Sequence, residues 1–149
     1  MMAPPPPATL ALPQGWTRQD FGFLGTTETA EWLDWKNQSA KWVPRVFVWR
    51  IKAETGYMSR SSLHDAVSGV LSSLHDEGAK LYASKAQRVC DGQRPGWFLS
   101  YVKTEDDPPL HLEETIFLDG DTIYRATYIR AAGQPEDVKT RAALNTLCV

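Results

Sequence analysis

Residues 90–130, CDGQRPGWFLSYVKTEDDPPLHLEETIFLDGDTIYRATYIR, decide the fold. Over Trp97–Lys103, the side chains Trp97, Leu99 and Tyr101 alternate with Phe98, Ser100 and Val102, the period of two that a pleated strand imposes. Leu112, Ile116 and Leu118 alternate in the same way with His111, Glu113, Thr115 and Phe117. Asp119-Gly120-Asp121 closes a hairpin, because glycine takes the positive φ that a tight turn needs. Ile123–Arg130 returns with Tyr124, Ala126 and Tyr128 on one side. Three consecutive strands joined by polar turns pair antiparallel.

Upstream, Asp91–Gly96 is a turn of chain-bending residues, and Lys80–Val89 is a strand leading into Cys90. Before it, Leu63, Ala66, Val67, Val70, Leu71 and Leu74 fall at the i, i+3, i+4, i+7 spacing of a helix with one buried stripe. Ser59, Ser61 or Ser62 can cap its start, and Gly78 follows its end. Arg45–Lys52 reads as a strand apolar on both faces, with Phe47, Trp49 and Ile51 opposite Val46 and Val48. Asn37-Gln38-Ser39 turns, Glu28–Lys36 is a further strand, and Phe21–Thr27 is a loop or irregular strand. Downstream, Gly133-Gln134-Pro135-Glu136 starts a short closing helix. Two amphipathic helices need a sheet face to lie on. The expectation is an α+β sandwich: an antiparallel sheet of about six to seven strands with two main helices, in one domain over 9–149 behind a proline-rich tail at 1–8.

The composition of the 149 residues is that of an ordinary globular chain, 42% hydrophobic and 23% charged. A net charge of −2 with scattered basic residues argues against a nucleic-acid partner. No apolar run approaches the roughly 18–20 residues that span a bilayer.

The two cysteines, Cys90 and Cys148, lack redox-pair spacing. A bridge between them pins the last helix to the sheet and calls for an oxidising compartment; the alternative is two buried thiols in a cytosolic protein. Met1-Met2-Ala3 and Pro4–Pro7 form no secretory signal, but they look like what remains after one is removed. An extracytoplasmic setting, periplasmic or secreted, is therefore expected, with a cytoplasmic one as the alternative.

Catalytic chemistry finds little support. His64 and His75 share a helix bearing but stand about 16 Å apart along it, too far to hold one metal ion. Glu105, Asp106 and Asp107 lack calcium-loop spacing and read as a solvated turn. Glu113 and Glu114 point to opposite faces of a strand, so they cannot act as a carboxylate pair. Nucleophile elbow, phosphate loop and dinucleotide fingerprint are all missing. No metal and no cofactor is expected.

What stands out is aromatic. Trp32, Trp35, Trp42 and Trp49 crowd one third of the chain, and Trp16 follows a Pro-Gln-Gly turn. Such rings either fill the core beneath the helices or make an apolar groove.

Leu12-Pro13-Gln14-Gly15-Trp16, Pro95-Gly96-Trp97, the hairpin Thr115–Tyr128 and the closing Ala143-Leu144-Asn145-Thr146-Leu147-Cys148 together resemble the Mog1/PsbP-like families. The likeness covers most of residues 9–148. It implies an antiparallel sheet between helices and a binding or accessory role; members engage photosystem subunits, a small GTPase or secretion effectors. No functional residue carries over from any one of them, and fold does not fix function. The sequence thus reads as a non-catalytic accessory protein that binds a protein partner through an aromatic sheet surface at Trp16, Trp32, Trp35 and Trp42. The alternative is a carrier of a small apolar ligand in a tryptophan-lined pocket.

Overall fold

The computed structural model describes residues 8–24, 27–34, 42–52 and 62–149. Within them run β1 (Trp16–Leu24), β2 (Thr27–Asp34), β3 (Arg45–Lys52), α1 (Leu63–Asp76), β4 (Lys80–Ala86), β5 (Trp97–Lys103), β6 (Leu110–Asp119), β7 (Thr122–Ala131) and α2 (Val138–Ala143), closed by a 3-10 turn at Leu144–Thr146. The strands form one seven-stranded sheet in the order β1-β2-β3-β7-β6-β5-β4, and every neighbouring pair is antiparallel. Two meanders, β1–β3 and β4–β7, therefore meet along β3 and β7. The chain leaves β3 near the middle of the sheet and re-enters at β4 on its edge. α1 makes that crossing, which lays it over one face.

α1 forms for the reasons its sequence gives. Ser62 Oγ accepts a hydrogen bond from the Asp65 amide at 3.1 Å, and Ala66, Val67, Val70 and Leu74 are its buried stripe. Gly78 ends it at φ 75°, the left-handed cap. Its stripe packs on Leu99, Tyr101, Leu112, Ile116, Ile123 and Ile129. The opposite face of the sheet gathers Val46, Val48, Phe117, Tyr124, Ala126 and Tyr128 beneath Ala8, Leu144 and Leu147. The strand alternation read from the sequence thus matches two separate cores.

Several boundaries move. The strand ladder of β1 runs on to Leu24, with a register shift between Asp20 and Gly22 that accounts for its irregular look. β2 begins at Thr27, one residue before the expected start, with residues 35–36 outside the described ones, and β4 stops at Ala86. Beyond it the chain closes on itself: the Val89 amide donates to the Arg94 carbonyl at 3.0 Å and the Arg94 amide returns to Val89 at 3.2 Å. α2 starts after Asp137, not near Pro135, because the Asp137 carboxylate accepts from the Lys139 amide at 3.3 Å and the Thr140 hydroxyl at 2.7 Å. The 37–39 turn and prolines 4–7 lie outside the described residues.

Gly96 shows why a glycine opens β5. A Cβ there would stand 2.8 Å from the Gln87 carbonyl oxygen and 2.9 Å from that of Ile116, backbone atoms that cannot step aside.

The chain ends are stitched together. Thr9 and Cys148 exchange backbone hydrogen bonds at 2.8 and 3.0 Å, and the Cys90 amide donates to the Leu147 carbonyl at 3.0 Å. Cys90 and Cys148 form a disulfide across 58 residues with their Cα atoms 4.6 Å apart. It fixes the segment after α2, rather than the helix itself, to the turn after β4. Restricting a loop of that length in the unfolded chain is worth about 4 kcal/mol on the entropic model. Cys148→Ser is therefore expected to lower the unfolding free energy by about 2–4 kcal/mol in urea denaturation, and adding reductant to the Cys148→Ser protein should cause no further loss.

Candidate ligand-binding site

Glu113 and Glu114 point to opposite faces of β6, as adjacent strand residues must. Both are buried, at 6% and 0% exposure, so each must find a partner inside the protein. β7 supplies both partners. On the α1 face, Arg125 grips Glu114 with two nitrogens, Nε to Oε2 at 2.7 Å and Nη2 to Oε1 at 2.9 Å. The Tyr101 hydroxyl adds a third bond to Glu114 Oε1 at 2.7 Å. Burial, and after it the Glu114 charge, push the Tyr101 phenol up, so it stays protonated and donates. Burial opposes the Arg125 charge, but Glu114 more than offsets it and the pKa moves up. Trp49, the cross-strand partner of Arg125, lies 4.5 Å beneath the guanidinium.

Above this buried pair, α1 and the sheet leave a cavity of about 200 Å³. Phe47, Trp49, Val70, Leu74, Leu110 and Ile129 give it apolar walls, while Arg125 and Thr127 line it from β7. At its rim Lys103 Nζ pairs with Glu77 at 2.9 Å, beside Asp106. Thr127 is 1% exposed, and its hydroxyl oxygen has no hydrogen-bond partner among the described residues. A buried orphan hydroxyl costs about 1–3 kcal/mol. A second cavity of about 190 Å³ sits by the end of α1, between Leu71, Leu74, His75, Ala79, Leu81 and Tyr101.

The opposite face carries a second charge cluster. Arg130 Nη1 meets Glu113 Oε1 at 2.6 Å, and Arg141 of α2 meets Oε2 at 3.1 Å while its guanidinium covers Phe98 at 3.7 Å. A hydrogen bond shared with Glu113, and after it burial, push the Glu136 carboxyl up. Burial, and then the charge of Arg130, push the His111 imidazole down; its Nε2 lies 3.1 Å from Ser100 Oγ. Through Arg141 this cluster ties α2 to the sheet.

The tryptophans expected to form one surface are divided between the faces. Trp16 is half-buried and meets Tyr128 edge-on at 6.4 Å, and Trp32 is 8% exposed with Arg18 over its ring at 5.1 Å. Both belong to the face under the chain ends. Trp42 packs on the α1 face beneath Arg45, 4.7 Å from its ring. Trp35 lies outside the described residues. Trp49, part of the crowded segment but not one of the four residues expected to bind, lines the cavity. Its signals in the sequence were that crowding and the face it shares with Phe47 and Ile51. His64, His75 and the acidic turn at 105–107 are exposed. No group of residues able to hold a metal ion occurs among the described residues, and none of their helices is long and apolar enough to cross a membrane.

Removing the charge of Glu114 leaves the Arg125 guanidinium buried without its counterion. Glu114→Gln should cost on the order of 3–5 kcal/mol of stability in urea unfolding, far more than the same change at exposed Glu105.

No family model matches the sequence, and a search of curated proteins finds no match. Solved structures do resemble it. PA94 from Pseudomonas aeruginosa, a protein of unknown function, superposes with a TM-score of 0.51 at 14% identity over 83% of this chain and 73% of that one. Cyanobacterial PsbP (CyanoP) from Synechocystis sp. PCC 6803 superposes with a TM-score of 0.54 at 13% identity over 85% of this chain and 75% of that one. The seven-stranded antiparallel sheet of this chain, with two helices packed on it, thus has the Mog1/PsbP-like fold that those structures share.

Proposed function

We propose that this chain is a non-catalytic binding protein of an oxidising, extracytoplasmic compartment, and that it carries a small apolar ligand in the cavity beneath α1. The observation that carries this reading is the cavity itself, about 200 Å³ between Phe47, Trp49, Leu74 and Ile129. Natural ligand sites are concave, mostly apolar and aromatic, with a few placed polar groups. The Cys90–Cys148 disulfide supports the compartment. A binding role fits the fate of the buried carboxylates, since Glu113 and Glu114 are both committed to arginines.

A protein partner is the second reading, favoured by the exposure of Leu81 and Tyr82 on the edge strand β4, at 46% and 60%. That edge also carries Lys80 and Lys85 and a register shift between Leu81 and Ala83, devices that discourage strand pairing. The cavity is therefore the better candidate.

Ligand binding to the native state raises thermal stability by mass action. Small aromatic molecules such as ethylbenzene should raise the melting temperature of the oxidised protein, the rise growing with the logarithm of ligand concentration above the Kd. Leu110→Trp, placing an indole from a half-buried wall position into the cavity, should abolish that rise without lowering the melting temperature of the free protein. Unchanged ligand response in Leu110→Trp would place binding elsewhere.

A further inference from the structure

Size, charge and hydrogen bonding narrow the chemistry of that ligand. An apolar cavity of about 150 Å³ takes one benzene. About 200 Å³ therefore holds one ring with a short substituent. The rings of Phe47 and Trp49, 6.3 Å apart and tilted by 52°, offer aromatic contact along one wall.

The cations that border the cavity are already matched. Arg125 is neutralised by Glu114 at 2.7 and 2.9 Å, and Lys103 by Glu77 at 2.9 Å. An anionic ligand finds no unmatched positive charge there and loses its hydration on entry. A cationic one finds the buried Glu114 carboxylate already taken by Arg125, with Asp106 only at the rim, and likewise loses its hydration on entry. An uncharged ligand meets neither penalty.

Polar capacity remains on β7. The Thr127 hydroxyl donates and accepts, and it has no partner among the described residues. The two bonds to Glu114 use Nε and Nη2 of Arg125, leaving Nη1 with no described partner. Since arginine only donates, the group that satisfies both must be an acceptor. A carbonyl or hydroxyl oxygen meets that need, with at most a rotation of Thr127 about χ1 to turn its hydroxyl toward the cavity.

We infer that the cavity beneath α1 selects an uncharged single-ring aromatic molecule carrying one oxygen acceptor, its ring against Phe47 and Trp49 and its oxygen on Thr127 and Arg125. This rests on the ligand-binding reading above and adds the class of ligand to it.

Calorimetric titration of the oxidised full chain with three molecules of similar size tests the inference: acetophenone, ethylbenzene and benzoate. Acetophenone should bind roughly tenfold more tightly than ethylbenzene, the worth of one net hydrogen bond, and benzoate more weakly than either. Thr127→Val should bring acetophenone down to the level of ethylbenzene while leaving ethylbenzene unchanged. Thr127→Ser, which keeps the hydroxyl, should retain the preference. Equal binding of acetophenone and ethylbenzene to the wild type overturns the selectivity and leaves the carrier function standing. Benzoate binding best, or a preference that survives Thr127→Val, also overturns it. Binding of none of the three overturns both the selectivity and the carrier function.

Discussion

The β6–β7 hairpin is buried on both sides, so the acidic side chains of its central residues have to be matched inside the protein. Two adjacent glutamates make this acute, because the pleat sends Glu113 to one core and Glu114 to the other. β7 answers with arginines on both faces, Arg125 toward α1 and Arg130 toward the chain ends. Each pair then recruits a neighbour: Tyr101 from β5 on one side, Arg141 from α2 on the other. The charges thereby help decide which elements can lie on which face.

The crossing from β3 to β4 does the rest. Since β3 joins β7 at the middle of the sheet while β4 is an edge, α1 must pass over β7, β6 and β5. Its apolar stripe seals part of that face against Leu99, Leu112 and Ile116. The side chains of Phe47 and Trp49 on β3 stay only half-buried. The cavity lies where the helix has stopped covering the sheet and these aromatic rings begin. On the other face the paired chain ends and the disulfide draw Ala8, Leu144 and Leu147 onto the hairpin's apolar side chains.

Much of the architecture was legible in the sequence. The alternation through Trp97–Lys103 and His111–Leu118 set strand faces that the two cores reproduce. The stripe from Leu63 to Leu74 named the helix, and Cys90 with Cys148 gave the bridge. The pairing of β3 with β7 was not legible, because it joins residues far apart in the chain with no local signal. Nor was the burial of Glu113 and Glu114, since glutamate is rarely buried unless paired and the partner arginines become visible only through register. The cavity beneath α1 was not legible for the same reason. Periodicity assigns Trp49 to a face, but whether that face is filled depends on where a remote helix ends. Of the tryptophans expected to bind, Trp16, Trp32 and Trp42 are described, and their rings divide between the two cores.

The binding role proposed above needs a rigid frame and an unfilled place. The matched charges and the stitched ends provide the frame, and the space between α1 and β3 is the unfilled place. The most direct test is a two-dimensional amide NMR titration of the oxidised protein with acetophenone. The account predicts saturable shifts at Val70, Arg125, Thr127 and Ile129, residues of α1 and β7 that line the cavity. Shifts confined to Leu81 and Tyr82 on the β4 edge, or no shifts at all, would contradict it.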